Sequence, residues 1–257
     1  MEMKILDPEI ERLEKESLHL IHEQIQNHDK IVVAFSGGKD STLILHLARQ
    51  VDCDIPAVFV DTGVEAPETY EYLRTVENLI TLKNSKGHTF WSLVDKYGWP
   101  DLKGKQSGRR GNMCCHYLKE QPMKQAIKRE GWDLLIDGLT IAESRQRMMF
   151  LKSYGSYHWV ISWDIQKLHP IMDWKPLQVL AYLREKKIPY NKIYDPPKSA
   201  VRVGCQPCTA YKSWKHRLAI ENPKLFKLVL ERKEGIEVSC IYDFIEKEIE
   251  DEFSKTE

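Results

Sequence analysis

The sequence predicts an α/β protein whose parallel sheet is covered by helices on both faces. Three observations carry this prediction. Short apolar runs at 31–35, 57–61 and 134–137 have the composition of buried strands. Amphipathic stretches separate these runs, and a glycine pair joins the first run to the helix after it. Strands that alternate with helices are typical of parallel sheets, because each crossover returns the chain to the same edge.

Periodicity and breaker residues assign the other elements in chain order. Apolar residues at helical spacing predict helices over 8–28, 41–51, 67–82, 119–130 and 174–187. Pro67 and Glu68 suit the first turn of the third helix. Prolines predict an ordered loop over 188–212, and the acidic stretch 243–257 predicts a solvated helix or a frayed tail. We divide the chain into an N-terminal helix (1–28), a nucleotide-binding α/β domain (29–187) and a C-terminal cysteine loop with a helical tail (188–257).

Composition excludes several classes of protein. Thirty-eight basic residues balance thirty-eight acidic ones, so the net charge gives no information about a nucleic-acid partner, although the distribution of charge along the chain can do so. The six cysteines are too few for a secreted disulfide scaffold in 257 residues. No apolar window reaches membrane-spanning length, and the N-terminus is acidic and amphipathic, which predicts a cytoplasmic protein. Two basic blocks, 103–129 and 198–217, leave a nucleic acid or a sulfur carrier open as a further partner. A homodimer through the N-terminal helix is also left open.

The stretch AFSGGKDSTL at 34–43 has the chemistry of a phosphate site. A glycine turn between a strand and a helix presents free backbone amides and the positive end of the helix dipole to an anion. Lys39 adds a charge, and the hydroxyls of Ser36, Ser41 and Thr42 add donors. The spacing is not that of a Walker A loop, which places four residues between its first glycine and its Gly-Lys pair.

SGGKDS at 36–41 resembles the PP-loop of the ATP pyrophosphatases related to phosphoadenosine phosphosulfate (PAPS) reductase. The resemblance implies a Rossmann-like fold of the adenine nucleotide alpha hydrolase type. It also implies an enzyme that cuts ATP between the α- and β-phosphates and transfers AMP to an acceptor. Contacts to the phosphates or to a bridging Mg²⁺ are then expected from Ser36, Gly37, Gly38, Lys39, Asp40 and Ser41, and among these Lys39 and Asp40 are the candidate catalytic residues.

Two further stretches extend the resemblance. VDTGVEAPETYEY at 60–72 is similar to the second-strand motif of the PAPS reductase branch, which implies that Asp61 and Thr62 lie beside the nucleotide, with Asp61 as a second catalytic carboxylate. The stretch 138–147 is similar to the element Gly-x-Arg-x-x-Glu-Ser-x-x-Arg, and Thr140 stands where its first arginine does. This second match implies that Gly138, Glu143 and Ser144 bind nucleotide and that Arg147 is catalytic. A charged helix start capped by its own serine is the alternative.

Four cysteines form two tight pairs, Cys114-Cys115 and Cys205-Gln-Pro-Cys208. A tandem pair with a distant CxxC fits structural zinc poorly and suits an iron–sulfur cluster better, although zinc and unliganded redox thiols stay open. CCHYLKEQPM and VGCQPCTA resemble the [4Fe-4S] site of assimilatory adenylylsulfate (APS) reductases and of some thiolating relatives. The implied ligands are Cys114, Cys115, Cys205 and Cys208, with Lys119 offsetting their charge.

The two remaining cysteines receive separate interpretations. Cys53, next to the second strand, is expected to be a buried small residue. Cys240 has no neighbouring cation or histidine that would lower its pKa, and its role stays open.

Three functions compete. The first is an ATP pyrophosphatase that adenylates an acceptor for sulfur transfer, as in nucleic-acid thiolation or phosphorothioation by DndC-like sulfurtransferases. An intact loop favours it, because sulfonucleotide reductases generally degenerate this loop. The second is an APS or PAPS reductase that releases sulfite, but the Glu-Cys-Gly-Leu-His tail of such enzymes does not occur in this sequence. The third is a non-catalytic, ATP-binding iron–sulfur subunit.

Overall fold

The strands of the protein form one mostly parallel sheet. The computed structural model describes residues 7–103, 111–237 and 241. Within these residues six strands lie in the order β3-β2-β1-β4-β6-β5, and only the β5–β6 hairpin is antiparallel. The strands are β1 (Ile31–Ala34), β2 (Ala57–Asp61), β3 (Leu79–Lys83), β4 (Leu134–Ile136), β5 (Tyr157–Val160) and β6 (Ile165–Leu168). The strand order reverses between β1 and β4, where open α/β sheets bind ligands.

Helices connect the strands and cover the sheet. They are α1 (Pro8–Ile25), α2 (Lys39–Val51), α3 (Pro67–Leu73), α4 (Phe90–Tyr97), α5 (Met113–Cys115), α6 (Gln121–Glu130), α7 (Arg145–Tyr154), α8 (Pro176–Glu185), α9 (Trp214–Glu221) and α10 (Pro223–Glu234). A π-helical turn (His116–Glu120) joins α5 to α6, and a 3₁₀ turn (Lys192–Tyr194) lies in the C-terminal loop.

The apolar core is divided between the two faces of the sheet. On one face, α1, α2 and α8 pack on β1 and β4 around Leu43, Trp174 and Tyr182. On the other face, α6 packs through Met123 and Ile127. Consecutive strand residues point to opposite faces, so a strand covered on both sides is apolar throughout. The predicted α/β class, with helices on both faces, is confirmed.

The C-terminal helices form a smaller apolar cluster of their own. Trp214 on α9 and Phe226 on α10 are buried, and Trp91 of α4 and Trp99 pack against them. This packing ties the segment after the CxxC pair to the region that precedes the tandem cysteines.

The structure corrects two sequence predictions. The helix predicted over 67–82 ends at Leu73, and 79–83 forms β3. Asn78 turns the chain with φ 46°, and the β-rich run after it pairs with β2. Cys53 is exposed rather than buried, because it lies in the turn after α2, where its thiol is 3.8 Å from Asp54 Oδ1. The tail 243–257 and Cys240 lie outside the described residues.

Candidate nucleotide and metal site

The glycine-rich loop is held in shape by its own hydroxyls. Gly37 has φ 73°, and a Cβ there would lie 3.0 Å from Thr69 Cγ2. Ser41 Oγ accepts hydrogen bonds from the amides of Ser36 and Gly38 and donates to the Gly38 carbonyl at 2.9 Å. These bonds fix the first turn of α2 at the end of β1, where its amide dipoles favour an anion.

Side chains of the C-terminal loop form hydrogen bonds to the glycine-rich loop and hold it in place. Asn191 is fully buried, and its amide nitrogen donates to the Gly37 carbonyl at 3.2 Å and to Thr69 Oγ1 at 2.9 Å. Tyr194 OH accepts a hydrogen bond from Lys39 N at 3.1 Å. Sequence reasoning missed both residues, because a proline-rich loop has no periodicity to indicate which side chains turn inward.

Lys39 and Asp40 neutralise each other. The ammonium group of Lys39 is buried and donates to Asp40 Oδ2 at 2.7 Å. Asp40 lines the cavity described below, whereas Lys39 lies behind it. A ligand phosphate that drew Lys39 forward would leave Asp40 free to bind a cation.

The loop after β4 packs directly on the start of α2. A Cβ at Gly138 would lie 2.9 Å from both the carbonyl carbon and oxygen of Asp40, so only glycine fits there. Asp137, which lines the same cavity, lies 2.5 Å from His169 Nδ1 and 3.5 Å from Lys167 Nζ. Burial opposes ionisation of Asp137, but the nearby charges of His169 and Lys167 outweigh it and hold its pKa well below the usual range. Asp137 and His169 were not predicted as site residues, although the acid at the end of the LLID run was a usable signal.

The stretch 138–147 serves two purposes. Ser144 caps α7, and its hydroxyl accepts a hydrogen bond from Arg147 N at 3.2 Å. Glu143 and Arg147 pair with each other and line the cavity, which Ser144 does not. Burial lowers the pKa of Arg147 below its usual value, and the carboxylates of Asp137 and Asp40 act in the opposite direction.

Asp61 ends β2 and Thr62 follows it, and neither residue lines the cavity. Asp61 accepts hydrogen bonds from Tyr70 OH and Gly63 N, and its second oxygen lies 3.1 Å from Lys83 Nζ. Thr62 Oγ1 donates to Glu65 at 2.6 Å and lies 3.3 Å from Cys205 Sγ. The nucleotide roles of Asp61 and Thr62 stay predictions.

All four predicted ligand cysteines line one cavity of about 590 Å³. Cys114 and Cys115 lie on α5, and the CxxC pair forms a turn in which Cys208 N donates to the Cys205 carbonyl at 3.2 Å. Arg217 on α9 fixes this turn by donating to the carbonyls of Cys205 and Gln206. The same cavity is lined by Ser36, Gly38, Asp40, Ser41, Asp137 and Gly138, and it has the size of a small-molecule site.

The cysteine end of the cavity is electropositive. Lys119 faces the thiols, and the charge of Cys205, followed by those of Cys115, Glu65 and Cys208, raises the pKa of Lys119 despite its burial. A hydrogen bond from Cys114 lowers the pKa of Cys115 to about 6, while the same contact and burial raise the pKa of Cys114. A cation beside a thiol pair favours thiolates, the form that binds metal.

The spacing of the sulfurs distinguishes two kinds of metal. Tetrahedral zinc with Zn–S bonds of about 2.3 Å places its sulfurs about 3.8 Å apart. Among the described residues, the one group of three or more ligand atoms within 4.8 Å of one another is the exposed Asp52, Cys53 and Asp54, so the four cysteines do not converge that tightly. In a cubane each thiolate binds its own iron, and the sulfurs lie farther apart. As they lie here, the four thiols do not form a closed tetrahedral zinc site.

The fold and the cavity define an α/β protein with a cysteine quartet in the same cavity as part of its glycine-rich loop. Residues 30–211 match the phosphoadenosine phosphosulfate reductase domain, and the chain belongs to that family. The predicted family resemblance is thus confirmed. No helix in the described ranges is long and apolar enough to cross a membrane.

Similar proteins include both characterised and uncharacterised relatives. Two uncharacterised proteins of Methanocaldococcus jannaschii are similar to this chain, one with 32% identity over 78% of the chain and the other with 33% identity over 85%. The matched regions span only 47% and 44% of the length of these two relatives. Adenosine 5'-phosphosulfate reductase 2 of Bacillus subtilis is 27% identical over 70% of this chain and 73% of its own.

Solved structures with the same fold are more distant in sequence. PAPS reductase from Candida auris, as a phosphate complex, covers 76% of this chain and 94% of its own with a TM-score of 0.54 and 20% identity. The U34-tRNA thiolase from Methanococcus maripaludis, with its [4Fe-4S] cluster, covers 90% of this chain and 82% of its own, with a TM-score of 0.51 and 15% identity. FMN adenylyltransferase from Candida glabrata, with FMN and an ATP analogue, covers 78% of this chain and 64% of its own, with a TM-score of 0.55 and 12% identity. At these identities the likeness shows the fold.

The buried Asp137 predicts an acid-dependent loss of stability. Since its folded pKa is depressed, Asp137 stabilises the protein above the unfolded pKa of about 3.9, and this contribution is lost as the pH falls toward the folded value. We expect Asp137→Asn to lower the free energy of unfolding near pH 7 by about 2–4 kcal/mol and to flatten its decline below about pH 4. Urea unfolding at several pH values measures both, with exposed Asp173→Asn as the control. Parallel pH profiles for wild type and Asp137→Asn would contradict the assignment.

Proposed function

We propose that this protein is an ATP pyrophosphatase that adenylates an acceptor and transfers sulfur to it, with a nucleic acid as the acceptor. The observation that carries the proposal is that four residues of an intact SGGKDS loop, Ser36, Gly38, Asp40 and Ser41, line one cavity together with four cysteines. A nucleotide whose phosphates lie on the loop would place its α-phosphorus between the loop and the thiols. The proposal needs ATP and Mg²⁺ as well as the protein.

The side chains of the cavity match the charge changes of this reaction. An oxygen of the acceptor bonds to the α-phosphorus, the bond from that phosphorus to the bridging oxygen breaks, and pyrophosphate leaves. The loop amides and Lys39 stabilise the charge on pyrophosphate, and Asp40 binds Mg²⁺ once Lys39 turns to the phosphates. Arg147 lines the same cavity, near enough to Asp40 and Asp137 to interact with their charges, and is the candidate contact for the α-phosphate.

Cys114, Cys115, Cys205 and Cys208 are the residues that would hold a [4Fe-4S] cluster. Such a cluster would supply a centre for sulfide or electrons next to the activated acceptor. Lys119 offsets the charge of the thiolates, and Arg217 keeps the CxxC turn in place. These two residues act whether or not the reaction ends in sulfur transfer.

Helix α7 supports a polymeric acceptor. It buries only Leu151, and its sequence RQRMMFLKSY carries three cations and no acid. Met149 and Tyr154 are 59% and 61% exposed on this helix, which begins at the cavity wall. Exposed rings with nearby cations are the features that bind nucleic-acid bases and phosphates.

An APS or PAPS reductase is the second candidate, favoured by the similarity to the Bacillus subtilis reductase. Thr140 argues against it. The family element has an arginine at this position, whereas Thr140 is buried and its hydroxyl has no hydrogen-bond partner among the described residues. A sulfonucleotide would therefore lack the contact that this arginine provides.

One assay tests the proposal. The protein, prepared without oxygen and loaded with iron and sulfide, is incubated with Mg²⁺, radiolabelled ATP, added sulfide as the sulfur donor and bulk transfer RNA or single-stranded DNA. Adenylation releases pyrophosphate, and sulfide then displaces AMP from the adenylated acceptor. We expect AMP and pyrophosphate in equal amounts, and we expect Lys39→Ala to lower their rate of formation by about 100-fold or more, because the loop loses its leaving-group charge. Lys15→Ala, on the exposed face of α1, is the matched control and should not change the rate. Sulfite release from APS with a thiol, without AMP formation from ATP, would favour the reductase instead.

A further inference from the structure

Tyr194 lies where the C-terminal loop meets the glycine-rich loop. Its side chain is 5% exposed and lines the cavity. Its hydroxyl oxygen accepts a hydrogen bond from Lys39 N at 3.1 Å. In the part of the chain that the structure describes, no group accepts the proton of this hydroxyl.

The Tyr194 hydroxyl can donate a hydrogen bond that no described residue accepts. A phenol offers one proton and the lone pairs of its oxygen, and here the Lys39 amide already uses a lone pair while the proton is left without an acceptor. A buried donor without an acceptor costs about 1–3 kcal/mol, so such groups call for an explanation. Burial raises the pKa of Tyr194, which keeps the proton on the hydroxyl near neutral pH. The missing acceptor is explained if it arrives with a ligand.

We infer that Tyr194 is a phosphate-binding residue, whose hydroxyl donates a hydrogen bond to the phosphate chain of the nucleotide on the glycine-rich loop. The inference rests on the proposed function, which places the pyrophosphate of ATP at this loop. Lys39 N belongs to the first turn of α2, so the amide that orients the phenol is one of the group that faces the phosphates. Tyr194 therefore brings the C-terminal loop, with its CxxC turn, into contact with the nucleotide.

The other reading of this contact is that the hydroxyl only caps the Lys39 amide. The two readings predict opposite effects of removing the hydroxyl. If Tyr194 donates to phosphate, Tyr194→Phe weakens the binding of nucleotides that carry a pyrophosphate. If it only caps the amide, Tyr194→Phe frees that amide for the phosphate, and binding stays the same or becomes tighter.

Calorimetric binding of α,β-methylene-ATP and of AMP separates these readings. We expect Tyr194→Phe to weaken the binding of α,β-methylene-ATP by about 10- to 100-fold, which is the range for the loss of a hydrogen bond to a charged group. The binding of AMP should change little. Tyr72→Phe is the matched control, because Tyr72 OH lies 3.1 Å from Thr42 Oγ1 and donates to the Pro189 carbonyl instead. Unchanged or tighter binding by Tyr194→Phe overturns the inference.

The wild-type protein separates this inference from the proposed function. If wild type binds α,β-methylene-ATP no better than AMP, the proposed function fails and the inference fails with it. If wild type prefers the triphosphate and Tyr194→Phe retains that preference in full, only the inference fails. Should Tyr194→Phe unfold, 3-fluorotyrosine at position 194 keeps the shape and makes the phenol a stronger donor. Tighter α,β-methylene-ATP binding then supports the inference, and unaltered binding overturns it.

Discussion

Replacing Cys205 by alanine is expected to leave a protein that retains almost no iron. Anaerobically prepared wild type should be brown and hold about four irons per chain, since four thiolates bind one cubane. The Cys205 thiol lies against Thr62, and its carbonyl is held by both Cys208 N and Arg217. The surrounding turn is therefore fixed by groups other than the thiol itself. Alanine removes a ligand without removing these supports.

The cluster prediction has a close control and a clear contrary result. Cys53→Ser changes an exposed thiol that does not line the cavity, so its iron content and visible absorption should equal those of wild type. Iron and sulfide analysis with visible spectroscopy measures the difference. A colourless wild type with one zinc per chain would contradict the iron–sulfur assignment, as would a Cys205→Ala protein that keeps its iron.

Replacing Gly138 by alanine is expected to abolish measurable ATP binding. The added Cβ would lie 2.9 Å from the Asp40 carbonyl and 3.1 Å from Ser41 N. Because these are backbone atoms, the strain is relieved only by moving the start of α2 away from β4. That movement shifts the loop amides that face the phosphates. We expect a loss of about 1–3 kcal/mol in the free energy of unfolding together with the loss of nucleotide binding.

Gly155→Ala serves as the control for Gly138→Ala. Gly155 ends α7 with φ 76° and ψ −178°, a backbone region essentially restricted to glycine, and has open space where a Cβ would stand. Alanine there therefore strains the backbone by about 1–3 kcal/mol without touching the loop. Denaturant unfolding and calorimetry with α,β-methylene-ATP should show destabilisation in both variants and lost binding in Gly138→Ala alone. Normal ATP affinity in a folded Gly138→Ala protein would place the nucleotide elsewhere.

Local sequence patterns were sufficient to predict the class of fold and the elements that carry the loop. The runs at 31–35 and 57–61 are apolar without alternation, as strands covered on both faces must be. The glycine pair and the charged residues after β1 follow from the needs of an anion at a helix start. The helix predicted over 67–82 failed because the alternating run at 79–83 was interpreted at the wrong period.

The contacts that complete the site depend on residues distant in the chain. Asn191 forms a hydrogen bond to Gly37, 154 residues earlier in the sequence, and Tyr194 forms one to Lys39, 155 residues earlier. Neither sits in a periodic segment, so no local pattern indicates its partner. His169 is similar, because its hydrogen bond to Asp137 follows from the pairing of β4 with β6. The sequence motifs selected the loop and the cysteines, which the fold brings to one cavity, and the tertiary structure supplied the side chains that position them.

The most direct test is a crystal structure of the iron-loaded protein, grown without oxygen in the presence of α,β-methylene-ATP and Mg²⁺. We expect the phosphate chain to lie on residues 36–41 and one [4Fe-4S] cluster, bound by Cys114, Cys115, Cys205 and Cys208, to face the same cavity. A nucleotide bound outside this cavity, or iron held by other residues, would contradict the proposed function.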